Sequence, residues 1–145
     1  MLIQFGTYNI RNIHNRGLES ALMGMSQANM YLGIFQETKV TDRVYTRGSA
    51  GCSVMAMDVP IQHRGGVTVF YGTAPHFAVE AVQQLGPNVV GFQLETGERR
   101  WYIVGCYLIP NNISKIKSVV AAPKERPRGA ELLVAGDFNV KLSEP

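Results

Sequence analysis

Five polar residues occur at or just beyond the carboxyl ends of predicted strands: Asn9, Glu37, Tyr107, Asp137 and Asn139. A glutamate at a strand end is a hard oxygen ligand of the kind that Mg²⁺ prefers, and a nearby aspartate could orient or deprotonate a water molecule. Asparagine and tyrosine donors could hold phosphate oxygens and stabilise the charge that develops in a transition state. Together these side chains predict metal-assisted hydrolysis of a phosphate ester, which needs no serine or cysteine nucleophile.

Each of these residues also has an ordinary structural explanation. Asparagine and aspartate are common in turns, because their short side chains bond to the nearby backbone. A glutamate can simply begin a solvated loop, and a tyrosine can be a core aromatic with its hydroxyl at the rim. The combination of the five residues, rather than any one of them, favours a functional site.

The elements that must position these residues follow from the hydrophobic pattern. The stretch "LIQFGTYNI" predicts a strand, and "LESALMGMSQAN" predicts a helix because its apolar residues recur at helical spacing. The short strand "YLGIF" then leads directly into Gln36, Glu37 and Thr38. A strand, a helix and a strand in this order usually place the two strands parallel in one sheet.

The middle of the chain has a different pattern. The runs "SVMAM", "VTVFY", "FAVEAV", "VVGFQLE" and "WYIVGCYL" are separated by turn formers and predict an antiparallel meander. Both faces of "WYIVGCYL" are apolar, so this strand should be covered on each side. A late helix in "NISKIKSVVAA" precedes the last strand, "AELLVA". The pattern predicts the α/β class, with two packed sheets flanked by helices.

Composition sets wide limits on function. A chain of 145 residues with 46% hydrophobic and 17% charged residues is typical of one folded domain. The net charge of +3 permits a nucleic-acid or phosphate-bearing partner without requiring one. Cys52 and Cys106 have no metal-binding spacing, which favours reduced thiols in an intracellular protein. No apolar run is long enough to span a membrane.

Four motifs carry a family resemblance. "TYNI", "FQET", "CYLIP" and "GDFN" occur in the order and with roughly the spacing of the endonuclease/exonuclease/phosphatase superfamily, and GDFN after an apolar strand is the most specific. From residue 2 onward the chain resembles most the endonuclease domains that accompany reverse transcriptases of non-LTR retrotransposons, in particular fungal copies. The resemblance implies a four-layered α/β/β/α sandwich, a Mg²⁺ (or Mn²⁺) cofactor and DNA as the partner.

The same resemblance implies a role for each site residue. Glu37 would be the principal metal ligand, and Asn9 would help to shape the metal and water site. Tyr107 would donate its hydroxyl to the scissile phosphate. Asp137 would align and activate the attacking water, while Asn139 would bind the phosphate and fix Asp137.

A second group of residues is predicted to contact the phosphate backbone of DNA. These residues are basic, and an ordinary solvated surface would explain them equally well. They are Arg99, Arg100, Lys115 and Lys117, followed by Lys124, Arg126 and Arg128.

Two departures from the family pattern bear on activity. Arg11 stands where some repair endonucleases of the family carry an aspartate, which is compatible with the retrotransposon type. The Asp-His pair near the end of the family domain has no counterpart after GDFN, because His14, His63 and His76 all precede that motif. Residues 1–145 are therefore predicted to form a single partial domain that lacks the C-terminal Asp-His segment and is weakly active or inactive.

This incompleteness leaves other interpretations open. Uncovered sheet edges predict poor solubility or self-association when the 145 residues are expressed alone. The alternatives to a DNA endonuclease are a non-catalytic retroelement remnant or phosphate-binding module, and an inositol-phosphate or lipid phosphatase of the same superfamily. Intracellular residence is expected, whether nuclear or cytoplasmic.

Overall fold

The computed structural model describes residues 4–11, 17–39, 45–47, 52–57, 65–72, 77–108 and 116–139. Its elements are β1 (Phe5–Asn9), α1 (Gly17–Gln27), β2 (Leu32–Gln36), β3 (Tyr45–Arg47), β4 (Cys52–Met57), β5 (Val67–Tyr71), β6 (Phe77–Gly86), β7 (Val89–Thr96), β8 (Arg99–Tyr107), α2 (Ile116–Ala121), a 3₁₀ turn (Ala122–Glu125) and β9 (Glu131–Asp137).

The strands form two sheets. The first has the order β1-β2-β5-β4-β3, and the second has the order β6-β7-β8-β9. β1 and β2 are parallel with α1 between them, as predicted, and β8 and β9 are parallel with α2 between them. The other paired strands are antiparallel. The predicted meander is divided, because β4 and β5 lie in the first sheet and β6 to β8 lie in the second.

The hydrophobic core lies mainly between the two sheets. Side chains from β2 and β5 meet side chains from β7 and β8 there, and full burial of one such aliphatic side chain contributes about 1.5–3 kcal/mol. The buried members of this cluster are Leu32, Ile34, Val67, Val69, Val90, Phe92, Leu94, Ile103 and Tyr107.

Each outer sheet face carries a helix. Ala21 and Met25 of α1 pack on Phe35 and Phe70 of the first sheet, and these two rings meet edge to face with centroids 4.8 Å apart. On the second sheet, Ala122 of the 3₁₀ turn packs in a cluster with outward-facing residues of β8. The four layers are therefore helix, sheet, sheet and helix, which confirms the predicted α/β/β/α sandwich. β8 is covered on both faces, as its sequence predicted.

The two sheets have neighbouring edges. Among the described strands, β1 and β9 each pair with one strand only. The predicted self-association through these edges stays a prediction.

No helix in the described part of the chain is long and apolar enough to cross a membrane.

Candidate active site

Four strand ends meet at one rim of the sandwich. Asn9 is the last residue of β1 and pairs with Gln36, the last residue of β2. Glu37 is the next residue after Gln36, so it lies beside the end of β1. Tyr107 and Asp137 pair with each other at the ends of β8 and β9. Because β1 pairs with β2 and β8 with β9 in parallel, each pair of carboxyl ends lies at the same edge of its sheet. The sequence therefore delivers polar residues to one place from four distant segments.

Hydrogen bonds join these residues across the two sheets. Asn9 Nδ2 donates to Glu37 Oε1 at 2.8 Å and to Asp137 Oδ2 at 3.1 Å. Tyr107 Oη donates to the same Glu37 oxygen at 2.9 Å. The backbone N–H of Arg11 donates to Asn9 Oδ1 at 3.1 Å, which fixes the orientation of the amide so that its NH₂ group contacts both carboxylates. These bonds join the side chains of four of the five predicted site residues.

Asn139 is tied to the same rim through its backbone and its side chain. Its backbone N–H donates to Asp137 Oδ1 at 3.0 Å, the bond that the expected fixing of Asp137 requires. Its side-chain amide donates to the carbonyl of Leu108 at 2.7 Å. The backbone N–H of Leu108 donates in turn to the carbonyl of Asp137 at 2.8 Å. The loop after β9 is therefore held to the end of β8, and phosphate binding by Asn139 stays a prediction.

The residues on either side of Glu37 hold its backbone in an uncommon conformation. Glu37 has a φ of 54°, which is rare for a residue with a side chain and is found mostly where surrounding structure enforces it. Gln36 is buried and donates to Thr7 Oγ1 and to the carbonyl of Ile34. Buried Thr38 accepts a 2.8 Å hydrogen bond from Thr68 Oγ1. The sequence interpretation used only the glutamate of the "QET" motif, although its neighbours anchor it.

Tyr107 is buried except for its contact at the rim. Only 4% of its surface is exposed, and its ring belongs to the core between the sheets. Burial, and then the adjacent Glu37 and Asp137 carboxylates, raise the pKa of the Tyr107 hydroxyl to about 12. The hydroxyl therefore stays protonated at neutral pH, and it can act as a hydrogen-bond donor.

Cys106 lies beside Tyr107 on the opposite face of β8, and its thiol is buried. Burial, and to a lesser extent the charge of Asp137, raise its pKa from 9.0 to about 11. A thiol that stays protonated and inaccessible is a poor nucleophile.

We expect Cys106 in the folded protein to resist a disulfide reagent at pH 8, and to react at once when the chain is unfolded in urea. Absorbance of the released thiolate measures both rates, and a Cys52→Ser background makes Cys106 the one thiol observed. The pKa of Cys106 is about 11 in the folded protein and 9.0 for a free thiol. The protonated thiol therefore contributes fully to the stability of the fold below pH 9.0, and this contribution is lost as the pH rises through about 11. Rapid labelling of the native protein would contradict the buried placement.

The two carboxylates suit a divalent cation. Both contact the same Asn9 nitrogen, so their negative charges are held close together, and in the described part of the chain neither is paired with a lysine or arginine. Mg²⁺ is commonly bound by one or two carboxylates and keeps several waters. Among the described residues, no group of three or more His, Cys, Asp or Glu side chains clusters together. The donor set fits Mg²⁺ or Mn²⁺ held by Glu37, with Asp137 adjacent.

The predicted DNA contacts are not brought together. Arg99 begins β8 and Tyr107 ends it, so they lie about 26 Å apart at ~3.3 Å per residue. Arg99 and Arg100 are ion-paired with Glu131 and Glu95, at 3.8 and 3.0 Å.

Lys117 has a different position. It is exposed on α2, whose next residue, Ser118, lies against Gly86 at the site end of the second sheet. Lys115 and the three histidines lie outside the described residues.

Solved structures share this architecture, although no family model and no curated protein matches the chain. An endonuclease/exonuclease/phosphatase family protein from Bacteroides thetaiotaomicron superposes with a TM-score of 0.64 over 98% of this chain and 65% of its own, at 12% identity. The chain therefore has the fold of the endonuclease/exonuclease/phosphatase superfamily. That fold is the one expected from the motifs.

Two nucleic-acid enzymes are among these structures. The endonuclease domain of TRAS1, a telomere-specific non-LTR retrotransposon, matches with a TM-score of 0.69 and 16% identity, over 98% of this chain and 61% of its own. TDP2 from D. rerio, complexed with a single-strand DNA product, matches with a TM-score of 0.66 and 13% identity, over 94% and 60%. The chain thus spans about three fifths of the length of these two structures.

Proposed function

We propose that this chain forms part of a divalent-metal-dependent phosphodiester hydrolase of the DNA endonuclease type. The observation that carries the proposal is the contact of Glu37 and Asp137 with a single Asn9 amide, beside the Tyr107 hydroxyl. This set supplies a metal ligand, a base and a neutral donor within one rim. The endonuclease and DNA-complex neighbours support DNA as the substrate class.

Each residue has a distinct part in this proposal. Glu37 would hold the cation, which when bound would polarise a phosphate oxygen and favour deprotonation of water. The Asp137 carboxylate would orient a water molecule and accept its proton. Tyr107 would turn its single hydroxyl proton from Glu37 to a phosphate oxygen when substrate is bound, and this hydrogen bond would stabilise the charge that develops there. Asn9 keeps the two carboxylates in fixed relation, and Asn139 fixes Asp137.

The proposal extends to how DNA would reach the site. Phosphate contacts by basic side chains position a duplex without reading its sequence and make binding dependent on salt. Among Arg99, Arg100 and Lys117, Lys117 adjoins Ser118 at the site end of the second sheet, whereas Arg99 and Arg100 lie at the other end. We therefore assign Lys117 a contact with the DNA backbone, in an intracellular enzyme that acts on DNA.

The test is nicking of a supercoiled plasmid by the protein that contains this chain. Asp137→Asn should lower the turnover in Mg²⁺ by about 10²–10⁴-fold, because the asparagine cannot accept the proton from water. Its affinity for DNA, measured by fluorescence anisotropy, should change little. The matched control is Glu131→Gln, which neutralises an exposed carboxylate at the opposite end of the same strand and should keep full activity.

The other outcomes discriminate between functions. Equal activity of the Asp137→Asn and Glu131→Gln variants would remove Asp137 from its assigned role. If the wild-type protein binds Mg²⁺ and DNA but does not cleave the plasmid, the chain belongs to a non-catalytic phosphate-binding module. Release of phosphate from inositol phosphates, with the plasmid left intact, would identify a phosphatase.

A further inference from the structure

A buried asparagine outside the site, Asn88, is hydrogen-bonded to Tyr107 and to Gly66, and the carbonyl of Gly66 holds the residue after Glu37. Asn88 lies in the tight turn between β6 and β7 and is only 1% exposed. Its φ of 55° is one that asparagine adopts more readily than most residues. A buried side-chain amide is costly unless it is hydrogen-bonded, so its partners indicate what it does.

The side chain of Asn88 reaches across to the first sheet. Its Oδ1 accepts a 2.8 Å hydrogen bond from the backbone N–H of Gly66, just before β5. A Cβ at Gly65 would lie 2.9 Å from that same Oδ1, and a Cβ at Gly66 would lie 2.8 Å from Thr38 Oγ1. The two glycines are thus enclosed between Asn88 on one side and the segment after Glu37 on the other, and their φ values of 105° and 96° also favour glycine.

These glycines hold the segment that carries Glu37. The backbone N–H of Thr38 donates to the carbonyl of Gly66 at 3.4 Å, and that of Lys39 donates to the carbonyl of Gly65 at 3.1 Å. Thr38 and Lys39 are therefore held by the backbone of Gly65 and Gly66. Asn88 in turn holds this backbone through its hydrogen bond from Gly66. A shift of Gly66 would move Thr38 and, with it, Glu37.

The backbone of Asn88 makes the second connection. Its carbonyl accepts a 2.9 Å hydrogen bond from the backbone N–H of Tyr107, whose hydroxyl donates to Glu37. A closed ring of contacts results, which runs from Asn88 through Gly66, Thr38, Glu37 and Tyr107 back to Asn88. The ring crosses between the two sheets twice, once at the site and once through the Asn88 side chain.

We propose that Asn88 is a positioning residue that sets the placement of Glu37 relative to Tyr107. It contacts neither the substrate nor the cation in the function proposed above, on which this inference rests. Its effect is transmitted through Gly66 and Thr38. Residues that orient a metal ligand from behind typically change metal affinity or activity by about 10–100-fold when they are removed.

The experiment compares Asn88→Gly with Asn88→Asp in the protein that contains this chain. Glycine accepts the positive φ but lacks the acceptor oxygen, whereas aspartate keeps both. We expect Asn88→Gly to lower Mn²⁺ affinity, measured by electron paramagnetic resonance, and Mg²⁺-dependent nicking by about 10–100-fold. Because aspartate keeps the acceptor oxygen but buries an ionisable group, we expect Asn88→Asp to lie between Asn88→Gly and the wild type in both measurements.

Two control variants separate positioning from general destabilisation. Asn29→Gly makes the same replacement at an exposed residue with a φ of 53°. Val89→Ala removes buried volume beside Asn88 without removing its side chain. Both should retain the wild-type Mn²⁺ affinity, even where Val89→Ala melts at a lower temperature.

Hydrogen exchange supplies a readout that does not depend on activity. In Asn88→Gly the amides of Thr38 and Lys39 should exchange at least about tenfold faster, because their acceptors are no longer fixed. Unchanged exchange of these two amides, or unchanged Mn²⁺ affinity, would overturn the positioning role. If the wild-type protein shows no metal binding and no cleavage, the proposed function fails, and the exchange of these amides still decides whether Asn88 holds the Glu37 segment.

Discussion

Glu37→Gln is expected to abolish metal-dependent cleavage while leaving the fold intact. The glutamine keeps an oxygen that can accept from Asn9 and Tyr107, but it removes one of the two close negative charges that suit a cation. Since residues that only support a ligand already change affinity by about 10–100-fold, loss of the ligand charge should weaken Mg²⁺ binding by at least about 100-fold. Plasmid nicking across a range of Mg²⁺ concentrations measures this effect.

The same variant has a thermal signature that needs no substrate. In metal-free buffer it should be at least as stable as the wild type, because one of two adjacent like charges is gone. Mg²⁺ at 100 times its Kd should stabilise the wild type by about 2.7 kcal/mol and leave the variant unchanged. Glu98→Gln, at the exposed turn between β7 and β8, is the control. Equal Mg²⁺ stabilisation of the Glu37→Gln protein would refute the assignment of Glu37 as the ligand.

Gly136→Ala is expected to destabilise the fold by at least about 2 kcal/mol and to displace Asp137. A Cβ at this position would overlap the carbonyl of Cys106 on the neighbouring strand, and Gly136 has a φ of 152°. Overpacking and an unfavourable backbone each cost about 1–3 kcal/mol. The strand must move away from β8 to accept the methyl group, and the next residue is Asp137. Urea unfolding gives the free energy of unfolding.

Two other glycines provide matched controls for this methyl group. A Cβ at Gly24, inside α1, would meet nothing within 4 Å, so Gly24→Ala should stabilise the helix by up to about 1 kcal/mol. Gly97 is equally open but has a φ of 31°, so Gly97→Ala should cost about 1 kcal/mol from the backbone alone. A Gly136→Ala protein as stable as the Gly97→Ala protein would contradict the close approach of β8 and β9.

The strand-end placement of four candidate residues was largely predictable because it depends on local patterns. Asn9, Glu37, Tyr107 and Asp137 each end or directly follow an apolar run, and the strand, helix, strand order implies that β1 and β2 are parallel. Parallel strands bring their carboxyl ends together whatever lies between them. Within each sheet, the placement of these residues therefore followed from the sequence, whereas their meeting across the two sheets depends on how the sheets stack.

The features that the sequence did not predict depend on contacts between distant segments, and such contacts leave no local pattern. An alternating run looks the same whichever strand it pairs with, so the division of the meander between two sheets was not visible. Asn88 looks like an ordinary turn residue, and its link to Gly66 exists only once the sheets are stacked. The sequence also could not show that Arg99 lies at the far end of the sandwich from Tyr107.

The arrangement of four strand ends at one rim separates two kinds of evolutionary change. Because strand pairing places Asn9, Gln36, Tyr107 and Asp137 at strand ends, connections that do not contact this rim can lengthen or change composition without disturbing it. Such a scaffold can acquire a new target through its surface segments while its chemistry is inherited unaltered. If the proposed function holds, selection for which target is bound can therefore proceed independently of selection for the residues at the rim.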